Sequence, residues 1–421
     1  MDPAVTTPVT PPPSPGPSRA VLAARNGVAV VFALNGLAVA TWFARVPAIR
    51  DALGLSAGRL GLLLLAMSAG AILAMPTAGL VTQRLGTART VIMATLFVAL
   101  GLTVAGVSAT AAGSVAGVAV GLFALGYGSG SCDVAMNIEG AAVERRLGRT
   151  VMPRFHAAWS LGTVTGAGLG AGAARLGLPV AVHLGVMAAL VLTGTLLGAR
   201  AFLSAGPRDA HAPAGRRGGL LAAWREPRTL LIGLVVLAAA FAEGSANDWI
   251  AVAFIDGYGV SEAAGAAVFG VFVAGMTLGR TVGTVALDRW GRVPVLTGTI
   301  LVAVFGAGLA ILAGSGPVAV VGVALWGIGA SLGFPVGMSA AADEEEHAHV
   351  RVSVVAVIGY TAFLAGPPLL GLLGDHVGIL RALLVVPVLL LPTLLLIPAT
   401  RPPVSSAPGK PERVGSAGPD A

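Results

Sequence analysis

One segment of this chain occurs twice. Residues 54–89 recur 205 positions later, at 259–294. Gly54 matches Gly259, Ser56 matches Ser261, Ala69-Gly70 matches Ala274-Gly275, and Arg84-Leu85-Gly86 matches Arg289-Trp290-Gly291. In each copy a long apolar stretch ends in a short basic loop. A unit of this kind, repeated after half the chain's length, predicts two related halves built from apolar helices.

Composition says where such helices live. Hydrophobic residues make up 56% of the chain and charged residues 11%, against about 25% charged in a soluble domain. Twelve apolar stretches each approach the ~20 residues that cross a hydrocarbon core: 22–44, 58–81, 88–109, 114–139, 154–174, 180–202, 228–250, 262–286, 293–313, 317–341, 352–373 and 379–398. The expected fold is an all-α integral membrane protein with twelve transmembrane helices in two pseudo-symmetric six-helix halves, 19–202 and 228–400. Paired halves of this kind, related by an axis along the membrane normal, are a transporter architecture. The 60 glycines suit helices that approach closely. The polar, basic tract 203–227 reads as the linker. The Pro-rich 1–18 and the segment 401–421 read as disordered tails. Ala38-Val39-Ala40 resembles a signal-peptidase site, but the apolar run before it is too long and eleven more follow.

The 26 Lys and Arg exceed the 19 Asp and Glu, for a net charge of +7. A basic balance can mark nucleic-acid binding. Here the basic residues sit in short loops between apolar runs, so membrane topology explains them and no nucleic-acid partner is expected. With the N-terminus inside, the inner loops, tails and helix ends hold 20 of the 26, while Arg45, Arg50, Arg59, Arg175 and Arg381 lie outside and Arg280 lies within a span. Both termini are expected to be cytoplasmic, in a multi-pass cytoplasmic (inner) membrane protein. The single cysteine, Cys132, excludes an intrachain disulfide and offers no metal cluster. No cofactor or metal is called for.

Polar residues inside spans are scarce, so their positions carry information. Of four Asn and one Gln in the chain, Asn35 falls in the first span, Asn137 in the fourth and Asn247 toward the outer end of the seventh. The acids concentrate in the same helices: Asp133 in the fourth, Glu243 and Asp248 in the seventh. A charge in hydrocarbon costs several kcal/mol, so these groups face an aqueous cavity or a partner. Gly126, Gly130, Asp133 and Asn137 share one helical stripe, as a proton-coupled site for a polar solute requires; pairing with an Arg, or packing, is the alternative. Glu243 and Asn247 are one turn apart. His156, Ser160 and Thr163 form another stripe, with His156 either a proton relay toward Asp133 or a helix-start residue. Arg280 needs a carboxylate or carbonyls and is expected to reach the fourth- or fifth-span region across the halves. Trp42 and Trp249 read as interfacial anchors. The loop Glu144–Arg149 is basic where its counterpart Asp343–His347 is acidic. The two either latch when that side closes or remain solvated loop charge. There is no P-loop, H-E-x-x-H or G-x-S-x-G, and no nucleophile beside a base, so no enzyme is expected.

The loops also carry a family resemblance. Gly79-Leu80-Val81-Thr82-Gln83-Arg84-Leu85-Gly86 and Thr284-Val285-Ala286-Leu287-Asp288-Arg289-Trp290-Gly291-Arg292 resemble the G-x-x-x-D-R-x-G-R signature of the major facilitator superfamily. The resemblance covers about residues 20–400. It implies gating at the cytoplasmic side by Gly79, Gln83, Arg84, Gly86, Asp288, Arg289, Gly291 and Arg292; Arg280, placed at the interface of the halves by its isolated charge, is counted with them. Thr284 departs from the signature at its leading Gly, Gln83 at its Asp, and Thr87 at its last Arg. Gly126-Tyr127-Gly128 with Asp133-Val134-Ala135-Met136-Asn137 is similar to the fourth helix of fucose-permease-like proteins, and Phe155–Gly162 and Glu243–Trp249 to a bacterial inner-membrane subgroup of that branch. The resemblance implies a coupling role for Asp133, a place in the site for Asn137, and a cavity lined by helices one, four, seven and ten, where Trp326 would offer a stacking or apolar wall. A second acid of the fucose permeases falls at Phe43 here, so a deoxy-sugar does not follow.

Together these readings predict a secondary transporter working by alternating access, proton-coupled, monomeric, and moving a small polar organic solute such as a sugar. Proton coupling is expected at Asp133, Glu243 and His156, and solute binding at Asn35, Asn137, Asn247 and Trp326. The alternative is an exporter of hydrophobic drugs or a secondary metabolite. Its fifth-helix signature needs a proline that Gly162-Thr163-Val164-Thr165-Gly166-Ala167 lacks. A non-transporting membrane sensor is a third reading.

Overall fold

The computed structural model describes residues 18–147, 151–203, 222–343 and 348–402. The expectations for the two tails, and for most of the linker, fall outside these residues. We number the spans α1 (Arg19–Phe43), α2 (Ala57–Leu85), α3 (Thr87–Thr110), α4 (Val115–Leu147), α5 (Met152–Arg175), α6 (Val180–Ala199), α7 (Pro227–Tyr258), α8 (Glu262–Trp290), α9 (Arg292–Leu312), α10 (Gly316–Ala341), α11 (Ala348–Val377) and α12 (Ile379–Thr393). A short helix, Val46–Leu53, follows α1. Ten of these segments are long and apolar enough to cross a membrane by themselves; α5 is less hydrophobic and α12 is short. No strand occurs among the described residues. This is the architecture of an all-α membrane protein.

The halves repeat each other contact by contact. Within the first, α1 packs on α5 and α6, α3 on α4 and α6, and α2 on α4. Within the second, α7 packs on α11 and α12, α9 on α10 and α12, and α8 on α10. Between them, α2 lies along α11 and α5 along α8. Punctuation repeats too. Ser56 and Ser261 cap α2 and α8 by accepting a backbone N–H, while Gly54 and Gly259 take the left-handed φ of 58° and 68° that a side chain disfavours. The closest backbone approaches recur as well. A Cβ on Gly126 would strike the Met67 carbonyl of α2, and one on Gly327 the Phe272 carbonyl of α8. Small residues at these crossings let bare helices meet where hydrophobicity alone gives no preference for protein over lipid.

Several helices outrun their hydropathy. The fourth was expected to stop at 139 and continues to Leu147; the seventh was expected to stop at 250 and continues to Tyr258. Backbone hydrogen bonding carries a helix beyond the apolar slab, whereas hydropathy ends at the slab's edge. As a result, Glu243 and Asn247 sit in the middle of α7, not toward its outer end.

Among the described spans α10 and α12 are interrupted, α12 at Leu383-Leu384, and the break in α10 bears on the site. α10 is interrupted at Ser331-Leu332 between Gly316–Ala330 and Gly333–Ala341. Proline lacks the N–H that would reach back four residues, so Pro335 cannot satisfy the Ser331 carbonyl. Irregular backbone at membrane depth survives only when buried in protein or lining a cavity. Ser331 is fully buried, and the Arg280 Nε donates to its carbonyl at 3.4 Å.

Candidate functional site

The first half contributes α4. The Asn137 amide donates to the Asp133 carbonyl at 2.8 Å and to its carboxylate at 3.2 Å. Both side chains are half-buried. The glycines of the same stripe face α2, where Gly126 meets Met67 and Gly130 meets Ala71 and Ala74. The stripe therefore joins close packing at one end to a carboxylate–amide pair at the other. Asn35 is deeper. It is 5% exposed and accepts from the Ser129 hydroxyl at 3.2 Å, so it lies in the α1–α4 seam and lines no open surface.

The second half contributes an ion pair. The Arg280 Nη2 donates to both oxygens of Glu243, each at 3.2 Å, and the Nε of the same guanidinium holds the broken end of α10. Arg280 was expected to bond across the halves; its hydrogen bonds stay within its own half, because Glu243 is already at mid-depth to meet it. Across the seam it interacts electrostatically with His156 of α5. His156 is exposed, packs edge-on against Phe32 at 5.3 Å, and faces Arg280 where the relay reading had it serving Asp133. Asn247 and Asp248 are half-buried, one turn beyond Glu243.

Sequence reasoning missed Tyr360. It lies on α11, interacts electrostatically with Asp133 across the seam, and sits between Phe334 and Phe363 with ring centroids 6.1 Å from each. Its signal was available, since only three Tyr occur in the chain and this one falls inside a span. The expected wall residue, Trp326, is instead fully buried, edge-on to Phe272 at 5.8 Å within the second half. Trp42 and Trp249 are fully buried too and anchor no interface. Burying such large rings outweighs an interfacial position for their indole N–H.

On the side bearing the chain ends, the signature loops sit at the surface. Gln83, Arg84, Asp288 and Arg289 are exposed, and the Arg289 guanidinium lies 5.8 Å from the Trp290 ring. Gly86 and Gly291 turn the chain with φ of 80° and 78°; Gly79 is half-buried in α2. Beneath each loop a carboxylate ties three elements. In the first half Glu139, 2% exposed, accepts from the Thr87 hydroxyl at 2.5 Å and the Leu203 N–H at 2.6 Å. In the second, Asp343 takes Arg292 at 2.7 Å and Arg228 at 2.8 Å, and Arg228 also donates to the carbonyls of Ala399 and Arg401. Glu139 escaped notice because the fourth span was expected to end on it. Asp343 is thus committed within its own half, and Glu144 accepts from the N–H groups of Val151 and Met152 to hold the start of α5. Of the latch, Gly148, Arg149 and Glu344–His347 lie outside the described residues.

On the opposite side the halves are tied together. Arg50 of the short helix binds the Asp256 carboxylate at 2.5 and 2.8 Å, Arg45 pairs with Glu262 at 3.2 Å, and Ser56 donates to Asp375 at 3.1 Å. At mid-depth Ser68 donates to the Phe363 carbonyl at 2.8 Å. Arg45, Arg50, Asp256 and Glu262 were not singled out from the sequence, since each looks like an ordinary loop charge until the two halves are placed side by side.

Comparison with known proteins agrees with this fold. The Major Facilitator Superfamily model matches residues 28–344 and 232–419. The chain is 34% identical over 358 residues to the uncharacterized transporter y4wD of Sinorhizobium fredii, covering 85% of this chain and 93% of that protein. Its fold matches the fucose:proton symporter FucP of E. coli with a TM-score of 0.63 at 18% identity, over 91% of this chain and all of that one. The nucleoside transporter NupG matches with a TM-score of 0.70 at 13% identity, again over 91% of this chain and all of that one. The chain belongs to the major facilitator superfamily and is a multi-pass membrane transporter of that type, not an enzyme.

Proposed function

We propose that the protein is a secondary active transporter that works by alternating access and couples protons to the movement of a small polar organic solute, such as a sugar, across the cytoplasmic membrane. It acts as a monomer with both termini in the cytoplasm. The observation that carries the reading is the seam at mid-depth. A carboxylate, Asp133, with its amide partner Asn137 on one half faces a phenol, Tyr360, and two further rings on the other. An acid inside a membrane defaults to a pathway role. The carboxylate–amide pair suits hydroxyl groups, and the rings suit the apolar face of a sugar. The solved relatives with this fold include a fucose:proton symporter and a nucleoside transporter, both for polar solutes.

In this reading Asp133 carries the coupled proton, with Glu243 and His156 as further carriers flanking Arg280. Asn137 and Asn247 contact the solute. Asn35 and Trp326, both sealed in packing, shape the cavity from behind. The ties Arg50–Asp256, Arg45–Glu262 and Ser56–Asp375 close the outer side, so the described state opens inward. The signature residues Gln83, Arg84, Asp288 and Arg289 act when the inner side closes. Positive charges crowd the termini-bearing side, which supports its cytoplasmic placement.

The test is charge movement in proteoliposomes under an imposed proton gradient, across sugars, amino acids and hydrophobic cations. A current with one polar class that disappears in Asp133→Asn is the expected result. Flux unchanged in Asp133→Asn would remove Asp133 from coupling. Flux of the hydrophobic cations alone would favour the exporter.

A further inference from the structure

Away from the cleft, on the closed side, polar groups gather in the buried interior. Arg45, just past α1, is 3% exposed. Its Nη2 donates to the Leu178 carbonyl at 3.0 Å, and its Nε lies 3.2 Å from the Glu262 carboxylate in the first turn of α8. That ion pair joins the two halves. His183, in the first turn of α6, is 6% exposed, and neither of its ring nitrogens has a hydrogen-bond partner among the described residues. It interacts electrostatically with Arg45. The Thr41 hydroxyl, the Trp42 indole N–H and the Arg45 Nη1 are also buried and unbonded.

An imidazole carries one donor and one acceptor, and leaving a buried polar group unpaired opposes folding. A packing role alone would be served better by an apolar ring. The surroundings limit what His183 can respond to. Just past α1 the facing charge is Arg45, and through Arg45 it is Glu262 of α8. Beyond Glu262 lies Asp51 of the short helix, in electrostatic contact with it, next to Arg50. α3, which packs on α6, presents Gly106 to Ala181 and Leu184, and its one ionisable residue, Arg89, is in its first turn at the far end. α5 presents Gly170, where an added Cβ would lie 4.0 Å from the ring, and its Arg175 is exposed in the last turn. Among the described residues, Arg45 is therefore the one charge set directly beside the ring.

We propose that His183 is a second proton-binding site, separate from the cleft acids, whose occupancy releases the closed side. A proton on the imidazole places a second positive charge beside Arg45 in a low-dielectric interior. That charge opposes the closed arrangement and competes with Arg45 for Glu262. A ligand that binds one conformation better shifts the equilibrium toward it, so proton binding at His183 and opening of this side reinforce each other. The inference rests on the alternating-access reading for its motion but not on the identity of the solute.

The experiment is a distance measurement by double electron–electron resonance on the purified full chain. Spin labels go on Ala112→Cys and Ser315→Cys, exposed positions on the closed side of opposite halves, in a Cys132→Ala background. Lowering the pH from about 8 to about 5, the range in which histidine titrates, is expected to populate longer distances. That acid-dependent population is lost in His183→Gln and persists in Asp133→Asn. Arg45→Gln gives the longer distances at every pH, which shows that the variant folds and that the lock is what holds the side shut. Full acid-dependent opening in His183→Gln would overturn the site. Acid-dependent opening lost in Asp133→Asn and kept in His183→Gln would assign the effect to the cleft. No distance change in any variant would overturn the alternating-access reading itself.

Discussion

α4 and α10 are the same helix in two halves, and they differ where it matters. Both cross their neighbour at a glycine pressed on a carbonyl, Gly126 on Met67 and Gly327 on Phe272. A turn or two further on they diverge. α4 runs unbroken through Val134 and carries Asp133 and Asn137 bonded to each other. α10 meets Pro335, breaks at Ser331, and needs Arg280 from α8 to satisfy the freed carbonyl. The lesson is that symmetry persists where backbone meets backbone, since nothing larger than hydrogen fits there. It lapses where side chains face the cleft, since the two walls hold different groups. One half offers a carboxylate and amide; the other offers an ion pair and rings.

The comparison can be broken most severely at its shared feature. Gly126→Val and Gly327→Val are each expected to destabilise by about 3 kcal/mol or more, because a rigid side chain would have to displace backbone. Both should lose most of the monodisperse peak in fluorescence-detected size-exclusion chromatography. If one is tolerated and the other is not, the crossings are not equivalent. Next in size is the coupling acid. Asp133→Asn is expected to reduce proton-driven accumulation at least about tenfold, which corresponds to about 1.4 kcal/mol, while solute exchange without a gradient continues. The Phe334→Asp change at the corresponding level of α10 should not rescue it in the same flux assay.

Smaller effects sharpen the difference between the loops' supports. Glu139→Ala leaves the Thr87 hydroxyl and the Leu203 N–H without an acceptor, an expected cost of about 1–3 kcal/mol in thermal unfolding. Arg280→Ala frees the buried Ser331 carbonyl and the half-buried Glu243 carboxylate, and it should lower thermal stability by a similar amount. Hydrogen exchange at 330–336 should rise with it, while the matching stretch of α4 stays protected. The smallest effect is expected for Gln83→Asp, which restores the signature acid at an exposed site. Stability should change by less than about 0.5 kcal/mol, with any consequence confined to the transport rate.

The fold was legible because the bilayer imposes it. Apolar runs of sufficient length, the repeat from Gly54 onward, and basic loops together left a two-half helical bundle as the answer. Asp133, Asn137 and Glu243 stood out for the same reason, since polar groups are rare and costly in hydrocarbon. Helix ends were less legible, which displaced Asn247 toward the outer end and hid Glu139. Hydropathy reports the slab, whereas a helix ends where its backbone is capped.

What the sequence determined by itself was local and one-dimensional: which segments cross, which of them repeat, and which carry polar groups into the bilayer. What only the tertiary structure decided was pairing. Arg280 takes Glu243 and not α4, Arg45 takes Glu262 across the halves, Asp343 takes two arginines of its own half, and Trp326 turns inward to Phe272. The reason is distance. A charge in the chain has many candidate partners, and desolvation makes the choice among them only when packing has fixed which are within a few ångströms.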